Sequence, residues 1–176
     1  MTDSSTTPAG LRTGTWILDP AGSSVRLTHK TMWGAATVKG AFATVGGTGE
    51  LAPDGSAHGT LTVEAASVGT GNSQRDTHLK SAEFFDVAAH PAIVFTAHRV
   101  VAGADGALTV DGELTVRGTT RPLALTGRAD TAAPDAVVLT VEAVVDRADF
   151  GLTWNRLGMI KGPATISVTG RFTHGG

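Results

Sequence analysis

From Val25 to Lys30 the chain alternates: Val25, Leu27 and His29 share one parity, and Arg26, Thr28 and Lys30 the other. A period of two puts one face of a β-strand toward a core and the other toward water. The same period returns at Val38, Gly40 and Phe42, at Leu61, Val63 and Ala65, and at Ile93, Phe95 and Ala97. It continues through Leu108, Val110, Leu114 and Val116, resumes at Leu123 to Thr126, and runs again through Val137 to Val145 and Ile166 to Phe172. Trp16-Ile17-Leu18 opens the ordered part. Between these runs lie turn residues: Asp19-Pro20-Ala21-Gly22, Gly46-Gly47, Pro53-Asp54-Gly55, Ala104-Asp105-Gly106 and Gly118 to Pro122. About eight short strands with short connections predict an all-β meander, either a sandwich or an up-and-down barrel. Gly40, Gly112 and Gly127 fall inside strand patterns, where a barrel must coil sharply, and favour the barrel.

One stretch breaks the alternation. In Val68 to Val87, Asn72, Arg75, Asp76, His78 and Lys80 fall within nine positions, and the apolar pair Phe84-Phe85 follows. Asn72 or Ser73 suits a helix N-cap, and a helical turn would place Arg75 and Leu79 on one face. The expected structure is therefore an eight-stranded antiparallel barrel with a short helical insert around 72–87. Such an insert is a cover or a site. As a cover, its polar groups fasten it and Phe84 and Phe85 pack inward; as a site, Arg75, Asp76 and His78 contact a ligand.

The 176 residues suffice for one domain with a substantial core. Residues 1–14, rich in Ser, Thr, Gly and Pro, are expected to be a flexible tail before a single domain over 15–174. A net charge of -2 without runs of like charge argues against nucleic acid or an anionic membrane as partner. No segment approaches the roughly 20 apolar residues of a membrane-spanning helix. The N-terminus has neither a basic region nor an apolar run, so the expected location is cytoplasmic. The absence of Cys removes disulfides, thiolate nucleophiles and zinc–thiolate sites.

Among groups with chemistry, His29 stands out because its parity matches Val25 and Leu27. An inward imidazole needs a partner, either a core group or the head of a ligand. His29, His58, His78, His90, His98 and His174 show no spacing of ligands to one metal, and no nucleophile elbow or phosphate loop is present. Arg147 and Asp149, in Asp146 to Gly151, read as an ion pair at a strand end. Trp33 and Trp154 lie in or beside turns, where they either frame a pocket mouth or close the barrel ends. The inward faces carry mostly Val, Leu, Ile and Ala. An eight-stranded barrel either packs solid or holds one slender ligand, and the pattern does not choose between these.

Several ordered blocks carry a family resemblance. They are Trp16-Ile-Leu-Asp19 with Ser23-Ser24-Val25, His29, Val38-Lys-Gly40-Ala-Phe42, and Ser67-Val-Gly-Thr-Gly71-Asn72 running on to Arg75-Asp76-x-His78-Leu79. Phe84-Phe85-Asp86-Val87, His90-Pro91-x-Ile93-x-Phe95, Gly112-x-Leu114 through Arg121-Pro122, and Arg147-x-Asp149-Phe150-Gly151 complete the set. In these blocks the chain resembles the YceI-like, polyisoprenoid-binding family. The resemblance implies a lipocalin-like barrel with a long apolar cavity, an isoprenoid ligand of quinone or prenyl-phosphate type, a homodimer, and an insert closing the cavity. Many relatives carry a secretion signal, and this N-terminus departs from them. The expected ligand-binding set is His29, Trp33, Phe42, Arg75, Asp76, His78, Phe84, Phe85, Phe95 and Trp154, with no catalytic residue, metal or cofactor. The alternatives are an enzyme on the same barrel, using His29, Arg75, Asp76 and His78 as acid/base or metal-binding groups, and a partner-binding domain with a packed core.

Overall fold

The computed structural model describes residues 11–31, 34–103, 105–152 and 161–175. The alternating runs form β1 (Gly14–Leu18), β2 (Ser24–Thr31), β3 (Ala36–Phe42), β4 (Val45–Leu51), β5 (Ala57–Glu64), β6 (Val68–Gly69), β7 (Ala92–Ala102), β8 (Ala107–Val116), β9 (Thr119–Ala133), β10 (Ala136–Val145) and β11 (Lys161–His174). Among the described residues one α-helix, α1 (Ser73–Lys80), interrupts them.

All neighbours pair antiparallel, and the sheet closes because β11 bonds both β10 and the first strands. β1 and β2 are two halves of one bent stave, turned at Asp19–Ser23, where the Asp19 side chain accepts from the Ala21 amide. β3 and β4 are a second bent stave, paired along its length with the first. With β5 and β7 to β11 these make eight staves, each beside its neighbour in sequence, while β6 only edges β3. The expected eight-stranded up-and-down barrel is the fold.

Register carries the hydrophobic pattern inward. Val25, Val38, Phe42, Val63, Phe95, Leu108, Val110, Leu114, Val116, Leu125, Val137, Val141 and Val168 are all buried, while their alternate neighbours look outward. Two of the strand glycines are demanded by close approach. A Cβ on Gly127 would lie 1.8 Å from the Thr140 carbonyl oxygen, and one on Gly112 2.0 Å from that of Thr96. At these points neighbouring backbones come nearer than any side chain permits, so the sheet can curl tightly.

The turns differ from expectation at Gly46-Gly47, which lies inside β4 and pairs with Thr62 and Leu61, and between β8 and β9. Between β8 and β9 the chain reverses on Arg117 and Gly118 alone, with φ of 50° and 75°, the positive pair of a two-residue hairpin. Thr119 to Pro122 already belong to β9, and Pro122 faces Glu113. Within the stretch 1–14, the described residues from Leu11 onward make contacts with the barrel. Leu11 borders the barrel interior, the Arg12 amide donates to the Pro134 carbonyl at 2.9 Å, and Trp16 Nε1 donates to the Arg12 carbonyl at 2.9 Å.

Candidate functional site

The barrel is hollow. Two chambers of about 160 and 110 Å³ occupy its two ends. Leu61, Phe95, Leu125 and Val168 border both chambers and form a waist between them. These four come from four staves, β5, β7, β9 and β11, and each lies on an inward register position.

The first chamber is apolar by register. Trp16, Leu18, Leu51, Val100, Leu108 and Val137 face it. Gly47 and Gly49 on β4 pair with Leu61 and Gly59 on β5. Gly49 and Gly59 border the chamber without a side chain to fill it, and a Cβ on Gly59 would lie 2.6 Å from the Thr48 carbonyl oxygen, so the two backbones approach closely there.

The second chamber lies toward the insert. Val25, Leu27, Val63, Leu114, Val145 and Leu152 build its walls, with Phe42, Phe84 and Phe85 from β3 and the insert. Phe85 stands edge-on to both Phe42 and Phe84, with ring centroids 6.0 and 5.0 Å apart. Among the described residues, two polar side chains interrupt this surface, His29 and Arg147. Burial is the main cause that pushes the His29 pKa below its ordinary value, and the charges of Arg147 and then Arg75 push it the same way. The imidazole is thus held neutral under a positive field. Arg147 is anchored by donating from Nη1 to the Leu152 carbonyl.

The insert is fastened by its own polar residues. Asn72 caps α1, accepting from the Arg75 amide at 3.0 Å. Asp76 Oδ1 accepts from both the amide and the hydroxyl of Thr70, at 2.9 and 2.6 Å. Arg75 Nε donates to the Thr70 hydroxyl at 2.8 Å, and its Nη2 to the Thr70 carbonyl at 3.1 Å. His78 faces Glu83 at 3.7 Å. From the β8–β9 hairpin, Arg117 donates to the Ala82 carbonyl at 2.8 Å, and Arg121 donates to the Asp149 carbonyl at 3.1 Å. One hairpin therefore grips both the insert and the turn that carries Arg147.

Of the ten candidate residues, His29, Phe42, Phe84, Phe85 and Phe95 border the second chamber. Arg75, Asp76 and His78 do not; Arg75 and Asp76 tie the insert to Thr70, and His78 faces Glu83 within it, although Arg75 still acts on His29 through its charge. Trp33 and Trp154 lie outside the described residues. Arg147 was missing from the set. Its parity with Val141, Ala143 and Val145 carries the inward register just past the end of β10, and that was the available signal. Among the described residues, no three His, Asp or Glu side chains gather as metal ligands would.

A closed antiparallel barrel with a lengthwise apolar lumen, closed over at one end by a fastened insert, defines a class of single-cavity barrels. Within that class, the chain belongs to the YceI-like domain family, matching it over residues 16–172. It is similar to a UPF0312 protein of Vibrio parahaemolyticus, 26% identical over 121 residues, which are 67% of this chain and 64% of that protein. The match thus spans somewhat under two thirds of that relative's length. Among solved structures, BcnA of Burkholderia cenocepacia superposes with a TM-score of 0.78 at 18% identity, covering 89% of this chain and 99% of that one. A polyisoprenoid binding domain from Saccharophagus degradans superposes with a TM-score of 0.70 at 14% identity, covering 93% and 99%. At these identities the likeness to the solved structures is one of fold.

Proposed function

We propose that the barrel is a carrier or reservoir for one long, slender apolar molecule of isoprenoid type. The observation that carries this reading is the pair of apolar chambers meeting at a waist of four aliphatic and aromatic side chains. A domain built only to present its surface would gain by filling that space, because each unfilled volume forfeits dispersion contacts. The polyisoprenoid binding domain of Saccharophagus degradans shares this fold, which supports the choice of ligand class.

The energetics suit a chain without demanding head-group recognition. Each buried CH₂ contributes about 0.8 kcal/mol. Several isoprene units thus exceed an association cost of about 4–15 kcal/mol and leave enough for micromolar binding.

The enzyme alternative asks His29, Arg75, Asp76 and His78 to converge on one substrate. Of these four, His29 alone borders a chamber, while Asp76 and His78 engage Thr70 and Glu83. That division of labour favours binding over acid/base chemistry.

Gentle purification, organic extraction and mass spectrometry test the reading. A near-stoichiometric long-chain isoprenoid is expected. Protein that yields no lipid, and that takes up no added geranylgeraniol after delipidation, would overturn it.

A further inference from the structure

Strand pairing gathers charge that the sequence scatters. The adjacent strands β11, β2 and β3 contain no Asp or Glu. On the outward parity of β2 and β3, Arg26, Lys30 and Lys39 are all exposed. Register sets them side by side, with Lys30 opposite Thr37, Lys39 opposite Thr28, and Arg26 between Ala41 and Ser167. Lys30 donates to the Thr37 hydroxyl at 3.5 Å, and among the described residues no carboxylate pairs with any of the three cations. The flanking acids are engaged elsewhere, Asp76 by Thr70, Glu142 by Ser167 and Asp19 by Arg171. The inward parity of the same β2 supplies Val25, Leu27 and His29 to the second chamber. That chamber reaches the surface beside them. The β2–β11 ladder is interrupted between Lys161 and Thr165, and Gly162 borders the chamber while itself being exposed. Gly162 has a φ of 69°, and among the described residues nothing lies within 4 Å of a Cβ built on it.

Resting on the reading of the barrel as an isoprenoid binder, we propose that the β11–β2–β3 face docks on an anionic lipid bilayer. The seam at Gly162 to Ala164 is then the mouth through which the ligand passes between bilayer and lumen. A cation near such a bilayer gains from its negative surface potential, about fivefold in partitioning for each Lys or Arg. Three of them give a reversible hold and not an anchor, which suits a carrier that must leave again. The net charge of -2 does not oppose docking, because charges more than about 10 Å from the surface are largely screened. The interrupted ladder matters because unpaired residues leave no inter-strand bonds to break as a chain passes. A nucleic acid duplex would answer to the same cations, but it has no use for a mouth into an apolar lumen beside them.

Cosedimentation of the full chain with vesicles tests the face. At about 0.05 M salt, vesicles of phosphatidylcholine with about one third phosphatidylserine should bind at least about thirtyfold better than phosphatidylcholine alone. Raising the salt to about 0.5 M should remove most of that preference. Arg26→Gln, Lys30→Gln and Lys39→Gln should each lower it about fivefold, and the three combined should bring it to within about threefold of the neutral vesicles. The Arg12 carbonyl accepts from Trp16, which borders the first chamber, so Arg12→Gln removes the same charge at the other end of the barrel. It should change binding by less than about twofold. Uptake of geranylgeraniol from loaded vesicles tests the mouth. Ala164 borders the second chamber at the seam, and Ala164→Leu should slow uptake at least about fivefold while final loading and vesicle binding stay within about twofold. Equal binding to neutral and charged vesicles, or retention of duplex DNA without retention of vesicles, would overturn the docking face. Uptake by the Ala164 variant at the parent rate would overturn the mouth. A chain that docks on charged vesicles yet takes up no geranylgeraniol would remove the isoprenoid reading and leave the docking face standing.

Discussion

Asp76 turns back from the first turn of its helix to take two hydrogen bonds from Thr70, at 2.9 Å from the amide and 2.6 Å from the hydroxyl. Thr70 follows directly on β6, so one carboxylate joins the insert to the edge of the barrel. The Thr70 hydroxyl meanwhile accepts from Arg75, which makes the link a relay from guanidinium through hydroxyl to carboxylate. Asp76→Ala should cost about 1–2 kcal/mol in urea unfolding, toward the low end for a charged hydrogen bond because the site is half-exposed. Amide exchange should accelerate over residues 70–85 and stay unchanged in β8 to β10. Uniform acceleration across the barrel would show that the insert is not a separately fastened unit.

Gly127 and Gly112 should tolerate no side chain. A methyl on Gly127 would collide with the Thr140 carbonyl oxygen at 1.8 Å, and one on Gly112 with that of Thr96 at 2.0 Å. Both obstacles are backbone, so relief requires the strands to part. Gly127→Ala and Gly112→Ala should each lower stability by about 2–3 kcal/mol. Gly46→Ala, where nothing lies within 4 Å of the added carbon, should be neutral or mildly stabilising. Thermal melts of the three variants decide the matter, and three equal shifts would contradict the close-approach argument.

Particular residues show how far the pattern of side chains reached. The strand faces were legible because burial on one side enforces a period of two, and Val137, Leu139, Val141, Ala143 and Val145 keep the inward parity, although Val138 and the exposed Val144 fall on the outward one. Asn72 announced the start of α1 by its type. The hollow lumen was not legible, since Gly47 and Gly49 read as a bend or hairpin until register places them on inward positions of β4, opposite Leu61 and Gly59. Arg75 and Asp76 drew attention as a site because their types suit chemistry, yet their nearest partner is Thr70, a residue of no obvious importance. Arg147 is absent from the expected ligand-binding set because, just past the end of β10, it reads as half of an ion pair with Asp149 at a strand end. Its orientation comes from the 147–152 turn, held by Arg121 from another strand.

His29 gives the fold a pH dependence of definite sign. Its folded pKa lies below the ordinary 6.5, through burial first and then the charges of Arg147 and Arg75. Between the folded value and 6.5, the unfolded chain holds the extra proton. Stability from this group is therefore fully present above 6.5 and is lost as pH falls from there toward the folded value. Urea unfolding from about pH 8 to about pH 5 should show this loss in the unmodified protein. His29→Gln should flatten the profile in that window. A variant as pH-sensitive as the parent would place the titration elsewhere.

The waist sets what length of chain the lumen admits. Leu125 is 6% exposed and borders both chambers, opposite contributions from Leu61, Phe95 and Val168. Because there is open volume on either side of it, Leu125→Trp should fold with a penalty of only about 1–2 kcal/mol, less than the same change would cost in a filled core. The indole would then occupy the passage between the chambers. If a ligand spans both, geranylgeranyl chains should lose at least about tenfold in affinity, while geranyl chains, which fit within one chamber, should change by less than about threefold. Comparing the two chain lengths on the same variant separates a blocked passage from general damage, which would weaken both. Leu125→Ala probes the opposite direction. It should widen the passage at a cost of about 2–3 kcal/mol, at the low end for such truncations because the neighbouring space is already empty. Unchanged binding of the longer chain by the tryptophan variant would mean that the ligand occupies one chamber and never crosses the waist.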